Sequence, residues 1–277
     1  MAPPTSLDPM DEQRLVDVAL AIEAADSILT ITGAGISADS GIPTYRGVGG
    51  LYNDRRTEEN LSIEQALSSV TLQLRPDITW KYLWEIGQTC RSAQPNRAHQ
   101  VMWAIEQWKP QAWTLTQNID GLHRAAGSRR VIEIHGRNDR LVCMGCGAEP
   151  DMFEVFPQWQ PPAAWPPRCA QCQGVLRPRV VLFGEPLPPE AVQHLHLVLA
   201  AQPAVVMIVG TTAAFPYIAQ PVAEAVEDGR WTIEVNPTPT ALSGLVRSRF
   251  AIGAAAWFDA LWQLLKARNP DLADILD

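Results

Sequence analysis

A chain of 277 residues has room for one large domain or two modest ones, and with 47% hydrophobic and 19% charged residues it has ample material for a core, which excludes intrinsic disorder. No apolar run approaches the roughly 18 residues of a membrane span, and the opening MAPPTSLDPMDEQRL has neither a basic region nor an apolar stretch, so we expect a cytoplasmic protein rather than a membrane or secreted one. Twenty-two Lys and Arg against 30 Asp and Glu give a formal charge of −8, which argues against general nucleic-acid binding and suits a cationic protein or peptide partner.

In chain order the first element is a helix over 11–25, where Leu15, Val18, Leu20, Ile22 and Ala25 recur at roughly helical spacing, with Asp8 before Pro9 as a cap. Residues 27–32 are short, β-branched and apolar and run into Gly33-Ala34-Gly35, which reads as strand, glycine turn and helix start. The rhythm recurs, with further strands predicted over 112–116, 131–134, 204–209, 231–235 and 250–252, and helices over 97–108, 190–200, 217–227 and 257–268. Apolar strands alternating with helices imply an α/β fold, a mostly parallel Rossmann-like sheet with helices on both faces. Two stretches interrupt it. Residues 44–94 carry glycines, charges and a helical patch without a clear strand, and 137–179 are rich in Pro and Cys. Such insertions form a second, small lobe.

Within the second insertion, Cys143-x2-Cys146 and Cys169-x2-Cys172 are separated by 22 residues. Each pair on a tight turn offers two thiolates to one metal, and two such turns close a tetrahedron, so zinc is expected over unliganded thiols or a redox motif. Four thiolates leave no open coordination position, which makes the ion structural. The fifth cysteine, Cys90, near Trp84 and Ile86, reads as a buried, inert thiol.

The segment from Gly33 to Ala38 fits G-x-G-x-x-A after a strand, where glycines let backbone amides approach a pyrophosphate; a tight turn without a ligand has the same sequence. The acidic ribose partner expected some 20 residues on is missing, since Asp54 follows no second strand, and a plain dehydrogenase is disfavoured. More telling are the polar groups at successive strand ends: Gln117, Asn118 and Asp120 after one, His135 after another, Thr211 and Thr212 after a third, Asn236 after a fourth. Singly, Asn118 and Asp120 suit a turn or helix cap and His135 a structural histidine. Together they make a polar pocket where open α/β sheets bind ligands.

GAGISADSGIPTYRG (33–47), TQNIDGLHRAAG (116–127), IEIHG (132–136), the cysteine quartet, VVLFGEPLP (180–188), GTTAAFPYIA (210–219) and EVNPTPT (234–240) stand in the order found in sirtuins, and residues 13 to 265 resemble that family. The resemblance implies an NAD-dependent protein lysine deacylase. Its Rossmann-like lobe would comprise 1–43, 89–136 and 178–277, its cofactor loop and helical module 44–88, and its zinc ribbon 137–177. Gly33, Ala34, Gly35 and Ser37 would cradle the pyrophosphate, and Thr44, Tyr45 and Arg46 would lie on the cofactor loop. Gln117 would face the ribose, Asn118, Ile119 and Asp120 the nicotinamide, and Gly210, Thr211, Thr212, Asn236 and Gly253 the adenosine end. Val181, Phe183 and Gly184 would pair with the substrate peptide as an added strand.

The implied reaction consumes NAD without hydride transfer. The acyl-lysine oxygen attacks C1′ of the nicotinamide ribose as nicotinamide leaves, with Asn118 and Asp120 positioning the carboxamide and a water. His135 then acts as general base on a ribose hydroxyl, activating the 2′ oxygen to attack the imidate carbon, and the products are lysine, nicotinamide and 2′-O-acyl-ADP-ribose. The same pocket could serve ADP-ribosyl transfer or NAD hydrolysis; the peptide strand and zinc ribbon favour the deacylase, deacetylation above all. Expected partners are acyl-lysine proteins or peptides bound by a monomer, with no nucleic acid and no membrane.

Acyl choice rests on departures from the family pattern. Thr44 stands where many sirtuins have Asp, as in members that remove acidic acyl groups. That branch also carries a Tyr and an Arg, three residues apart, ahead of the Pro-Asn pair; counting back from Pro95-Asn96 puts Leu83 and Ile86 there, with no cation for a carboxylate. Tyr82 with Glu85 is the nearest alternative and has the wrong sign, Leu182 replaces a common aromatic, and Arg55 or Arg56 would have to supply a cation from another loop. We expect acetyl and longer apolar acyl-lysines to be preferred over succinyl-lysine.

Overall fold

Six apolar runs pair side by side into one parallel sheet. In the computed structural model, which describes residues 9–44, 56–162 and 164–276, these are β1 (Ser27–Thr32), β2 (Gln111–Thr116), β3 (Val131–Glu133), β6 (Val205–Val209), β7 (Trp231–Val235) and β8 (Ser248–Phe250), in the order β3-β2-β1-β6-β7-β8. The remaining strands, β4 (Gly136–Cys143) and β5 (Leu176–Val180), pair antiparallel with each other. The helices are α1 (Pro9–Ala24), α2 (Ile63–Ala66), α3 (Ser69–Leu74), α4 (Pro76–Ser92), α5 (Arg97–Trp108), α6 (Leu122–Ala125), α7 (Met152–Val155), α8 (Pro189–Ala200), α9 (Pro216–Glu227) and α10 (Ala254–Arg268). All the strands and helices read from the sequence are present, with ends displaced by at most three residues, as fraying ends allow.

The period of two along each strand sorts the core into two layers. Ile28, Val205, Met207, Val209, Ile233 and Val235 face one side and bury against Val18 and Ile22 of α1, Val101 and Ile105 of α5 and Trp257, Leu261 and Leu265 of α10. Leu29, Ile31, Leu115, Val206 and Ile208 face the other, against Leu195 and Val198 of α8 and Ile218 and Val222 of α9. The chain runs outward from β1 to β3, returns to β6 beside β1, and runs outward again to β8. The switch point therefore lies between β1 and β6, where the crossovers diverge and leave a crevice at the strands' carboxyl ends.

The helix expected after the glycine turn is a 3₁₀ helix over Ala34–Ser40. Its opening amides set that tighter path: Gly35 donates across the switch point to Gly210 O (2.8 Å), and Ile36 closes back on Gly33 O (3.1 Å). The side chain of Asn96, the cap of α5, ties this turn down by donating to Ile36 O at 2.7 Å and Ser40 Oγ at 3.0 Å.

Among the described residues, 56–92 fold as α2, α3 and α4, and 136–180 as the β4–β5 pair with α7. No apolar run announces β4 or β5, because their sequences, GRNDRLVC and LRPRV, are interrupted by charges. An aromatic knot joins the two insertions: Trp80 and Trp84 of α4 pack on Phe156, Trp159 and Trp165, and Trp80 Nε1 donates to Leu176 O at 2.6 Å. No described helix is long and apolar enough to cross a membrane.

Candidate active site

The glycine turn and the end of β6 interlock backbone to backbone. A Cβ on Gly35 would stand 2.7 Å from Gly210 Cα, and one on Gly210, whose φ is +60°, 2.5 Å from Ile36 N. Side chains are excluded there, which leaves a cradle lined by peptide groups, the kind of surface that accepts a pyrophosphate. The polar groups predicted at the strand ends converge on it. Asn118 Nδ2 donates to Gly33 O and Ser37 Oγ, each at 3.1 Å, and Ser37 Oγ donates to Asp120 Oδ2 at 2.7 Å. Gln117 Nε2 donates to Thr211 Oγ1 at 2.9 Å, and Asn236 Nδ2 to Thr211 O at 2.9 Å. One hydrogen-bonded net thus joins β1, β2, β6 and β7 at the switch point. Burial pushes the Asp120 carboxyl up, against the pull of the Leu122 amide, Ser37 and Asn118. Of the remaining residues assigned from the sequence, Ala34 lies in the turn, Thr212 follows Thr211, and Gly253 caps α10, whose Ala255 amide reaches Asp39 Oδ2 at 3.3 Å. Thr44 ends the described segment; Tyr45, Arg46 and Arg55 lie outside the described residues.

His135 sits in the turn between β3 and β4. Gly136 makes that turn possible: its φ is +75°, and a Cβ there would collide with Arg179 O of β5. The imidazole Nδ1 lies 3.0 Å from Gln117 O and Nε2 lies 2.7 Å from the Tyr217 hydroxyl. A backbone carbonyl only accepts, so Nδ1 carries the proton, Nε2 is the basic nitrogen, and Tyr217 donates to it. Burial lowers the pKa of His135, which the Gln117 carbonyl partly offsets. The sequence reading missed Tyr217, although it lies within GTTAAFPYIA: nothing in a linear motif says which side chain of the first turn of α9 meets a residue 82 positions earlier.

Facing this polar wall is an apolar one. Leu83 of α4, Val180 and Leu182 cluster with Leu67, Leu72 and Ile78, and Ile86 and Ile119 pack against the same cluster. The structure thus places Leu83 and Ile86 in the same apolar cluster as Ile119, which is one residue from both Asn118 and Asp120. Tyr82 does not reach for a substrate, because its hydroxyl is committed to Glu59 Oε2 at 2.6 Å, and Arg56 donates to Asn60 O at 2.8 Å. Val181 N donates to His135 O at 2.9 Å. Phe183 is held on both sides of its peptide: its amide donates to Leu67 O and its carbonyl accepts from Ser69 N. Gly184, at φ +85°, has no backbone partner among the described residues. Glu185 locks the segment, receiving Leu182 N at 2.8 Å and Arg177 Nη2 at 2.9 Å.

The four cysteines of the quartet come together with all sulfurs within 4.8 Å of one another, Cys143 to Cys172 at 3.4 Å and Cys146 to Cys169 at 3.8 Å. Tetrahedral zinc with bonds of about 2.3 Å requires sulfurs about 3.8 Å apart, so the donor set fits that ion. Amides of Gly145 and Gly174 point at Cys143 and Cys172 sulfurs (3.3 and 3.4 Å), as suits thiolates. Cys90 stands apart, partly buried, its thiol pushed up to about 12 by burial and by the charges of Asp120 and Asp139.

Comparison with known proteins agrees with this geometry. The family model described as Sir2 family matches residues 33–215. A Pseudomonas aeruginosa protein named NAD-dependent protein deacylase 2 is 52% identical over 231 residues, 83% of this chain and 88% of the relative. An Aquifex aeolicus NAD-dependent protein deacylase is 36% identical over 243 residues, 87% of this chain and 96% of its own. Among solved structures, a Sir2 homologue mutant in complex with ADP-ribose superposes with a TM-score of 0.80 at 30% identity, covering 91% of this chain and 96% of that one. A Sir2 homologue–NAD complex superposes with a TM-score of 0.79 at 30% identity, covering 93% and 94%. The chain, with its parallel sheet, its strand-end polar net and its cysteine quartet, belongs to the Sir2 family.

Proposed function

We propose that this chain removes acyl groups from protein lysines and consumes NAD in doing so. The observation that carries the reading is the meeting, at one switch point, of a side-chain-free backbone cradle, the Ser37–Asp120–Asn118 net and a histidine whose tautomer leaves Nε2 basic. NAD supplies an activated C1′ whose nicotinamide leaves. The cradle of Gly33, Ala34, Gly35 and Ser37 holds the anionic middle of the cosubstrate, and Gly210, Thr211, Thr212, Asn236 and Gly253 its adenosine end. Gln117 faces the ribose, Thr44 leads into the cofactor loop, and Ile119 with Asn118 and Asp120 orients the carboxamide. A half-buried Asp120 carboxylate nearby favours positive charge as it develops. His135 takes the proton from a ribose hydroxyl once the acyl oxygen has been captured.

The substrate strand lies along Val181, Phe183 and Gly184, where the open peptide groups of Gly184 receive a backbone irrespective of sequence. The acyl chain then points at Leu83, Ile86 and Leu182, a wall that rewards apolar length at about 0.8 kcal/mol per buried methylene. Zinc on Cys143, Cys146, Cys169 and Cys172 holds 137–177 as a unit beside the helical module of 44–88, while 1–43, 89–136 and 178–277 carry the dinucleotide. Four thiolates that must stay reduced suit a cytoplasmic setting. The charge of −8 suits basic, lysine-bearing partners rather than nucleic acid, and the protein acts as a monomer.

The test is one incubation of protein and NAD with a panel of acyl-lysine peptides, reading peptide and nucleotide by mass. Free lysine with matched 2′-O-acyl-ADP-ribose supports the reading. ADP-ribose without peptide deacylation, or mass added to a protein, means hydrolysis or ADP-ribosyl transfer instead.

A further inference from the structure

The hydroxyl of Tyr217 occupies the one atom that His135 needs for base catalysis. With Nδ1 protonated toward Gln117 O, only Nε2 can accept a proton, and the phenol O–H already points at it from 2.7 Å. For a substrate hydroxyl to reach Nε2 directly, the phenol must leave. Its surroundings hold it in place. Tyr217 stands in the first turn of α9, immediately after Pro216. Its ring stacks on Phe215 with centroids 5.3 Å apart and planes 11° from parallel, and packs on the apolar cluster beneath α9. Both rings meet His135 edge to face, at 5.9 and 6.0 Å. The Tyr217 oxygen has no other hydrogen-bond partner among the described residues, so its own lone pairs are unspent. It remains protonated throughout the neutral range, since burial pushes its pKa up to about 12.

We propose that Tyr217 is a proton relay, standing between the reacting ribose hydroxyl and His135, a role that rests on the reading of His135 as the base. The ribose O–H bond breaks and its proton passes to the Tyr217 oxygen while the phenol's own proton passes to His135 Nε2. The electron pair left on the ribose oxygen forms the C–O bond to the acyl carbon, and the carbon–nitrogen π pair moves onto the lysine nitrogen. The phenol ends neutral, the imidazole ends as imidazolium, and no outside acid, base or redox partner is required. In this arrangement a hydroxyl held by ring packing carries the basicity of a half-buried imidazole toward the cleft, and a 2.7 Å bond is short enough for transfer within the step.

The test compares wild type, Tyr217→Phe and His135→Ala as full-length, zinc-loaded proteins. Phenylalanine keeps the stack on Phe215, and melting curves with NAD titration by calorimetry check that fold and cosubstrate affinity survive. Two reactions are read: exchange of labelled nicotinamide into NAD in the presence of acetyl peptide, which needs only the C1′ step, and release of free lysine, which needs the base. We expect Tyr217→Phe to keep NAD Kd and nicotinamide exchange within about three-fold while kcat for lysine release falls by 10²-fold or so. The proton inventory in mixed H₂O and D₂O should be curved in wild type, as for two protons in flight, and linear in the variant. Wild-type or faster lysine release by Tyr217→Phe, with His135→Ala inactive, overturns the relay and makes the phenol a plug that substrate displaces. Retained lysine release by His135→Ala overturns the base reading, and the relay with it.

Discussion

The two sides of the cleft are built on opposite principles. The parallel sheet is sandwiched between two continuous apolar layers, and its strand ends hold Gly33, Asn118, Asp120 and His135 in a net of hydrogen bonds around 3 Å long. The opposite side is made of four- to eight-residue strands and helices around the longer α4, with a small aromatic knot and four cysteines in place of a large core. The comparison teaches where accuracy and where adaptability reside: a closed core fixes polar groups to fractions of an ångström, whereas a side held by a four-cysteine cluster and a few aromatic contacts presents an apolar wall, the surface that the proposed function assigns to the acyl group.

The strongest way to break the comparison is to remove the metal. Cys169→Ser, or chelation, should release one zinc per chain and unfold the β4–β5 side at a lower temperature than the sheet, because metal binding energy is folding energy there, on the order of 10 kcal/mol in isolated zinc modules. Metal analysis with calorimetry reads both. A zinc-free protein with an unchanged melting profile would show that the aromatic knot suffices.

On the sheet side, His135→Ala should lower kcat for lysine release by about 10³-fold, roughly 4 kcal/mol of barrier, while NAD affinity stays within a few-fold. Lost NAD binding in a folded variant would make His135 structural instead.

Acyl choice sharpens the contrast where the two sides meet. Leu83 and Ile86 offer a carboxylate no partner, so kcat/KM for succinyl-lysine should fall below that for butyryl-lysine by about 10²-fold, close to 3 kcal/mol. Matched peptides read it; equal turnover would require a cation from another loop. Ile86→Arg should narrow the gap by supplying the missing partner.

The smallest effect concerns acid stability of the sheet side. His99 and His123 lie buried edge to face, 4.9 Å between centroids, and burial lowers both, His99 to about 4. Unfolding lets them charge near the ordinary pKa of about 6.5, so the unfolded chain binds more protons and stability falls as pH drops below that value. His99 alone should remove about 2 kcal/mol between pH 7.5 and pH 5. Urea melts at the two pH values measure this, and a His99→Gln variant should show the shallower dependence.

Local pattern alone determined much of this protein. Short apolar and β-branched runs such as SILTIT and VVMIV mark the parallel strands, because a strand covered on both faces buries nearly every side chain and favours residues that pack on a pleated surface. The spacing of Cys143, Cys146, Cys169 and Cys172 announces a four-sulfur site, since two tight turns can be read from adjacent residues. Gly33 and Gly35 announce a close backbone approach. Only the tertiary structure decided the rest. The charged strands β4 and β5 gain their stability from pairing and from the cysteine turns, so they leave no apolar signature. The 3₁₀ path after Gly33 follows from a hydrogen bond to Gly210, which a local window cannot contain. Tyr82, three residues before Glu85, is withdrawn from the substrate side because its hydroxyl meets Glu59. Tyr217 reaches His135 because α9 and the β3–β4 turn both begin at the carboxyl edge of the parallel sheet, and a contact between residues 82 positions apart is a property of topology rather than of spacing.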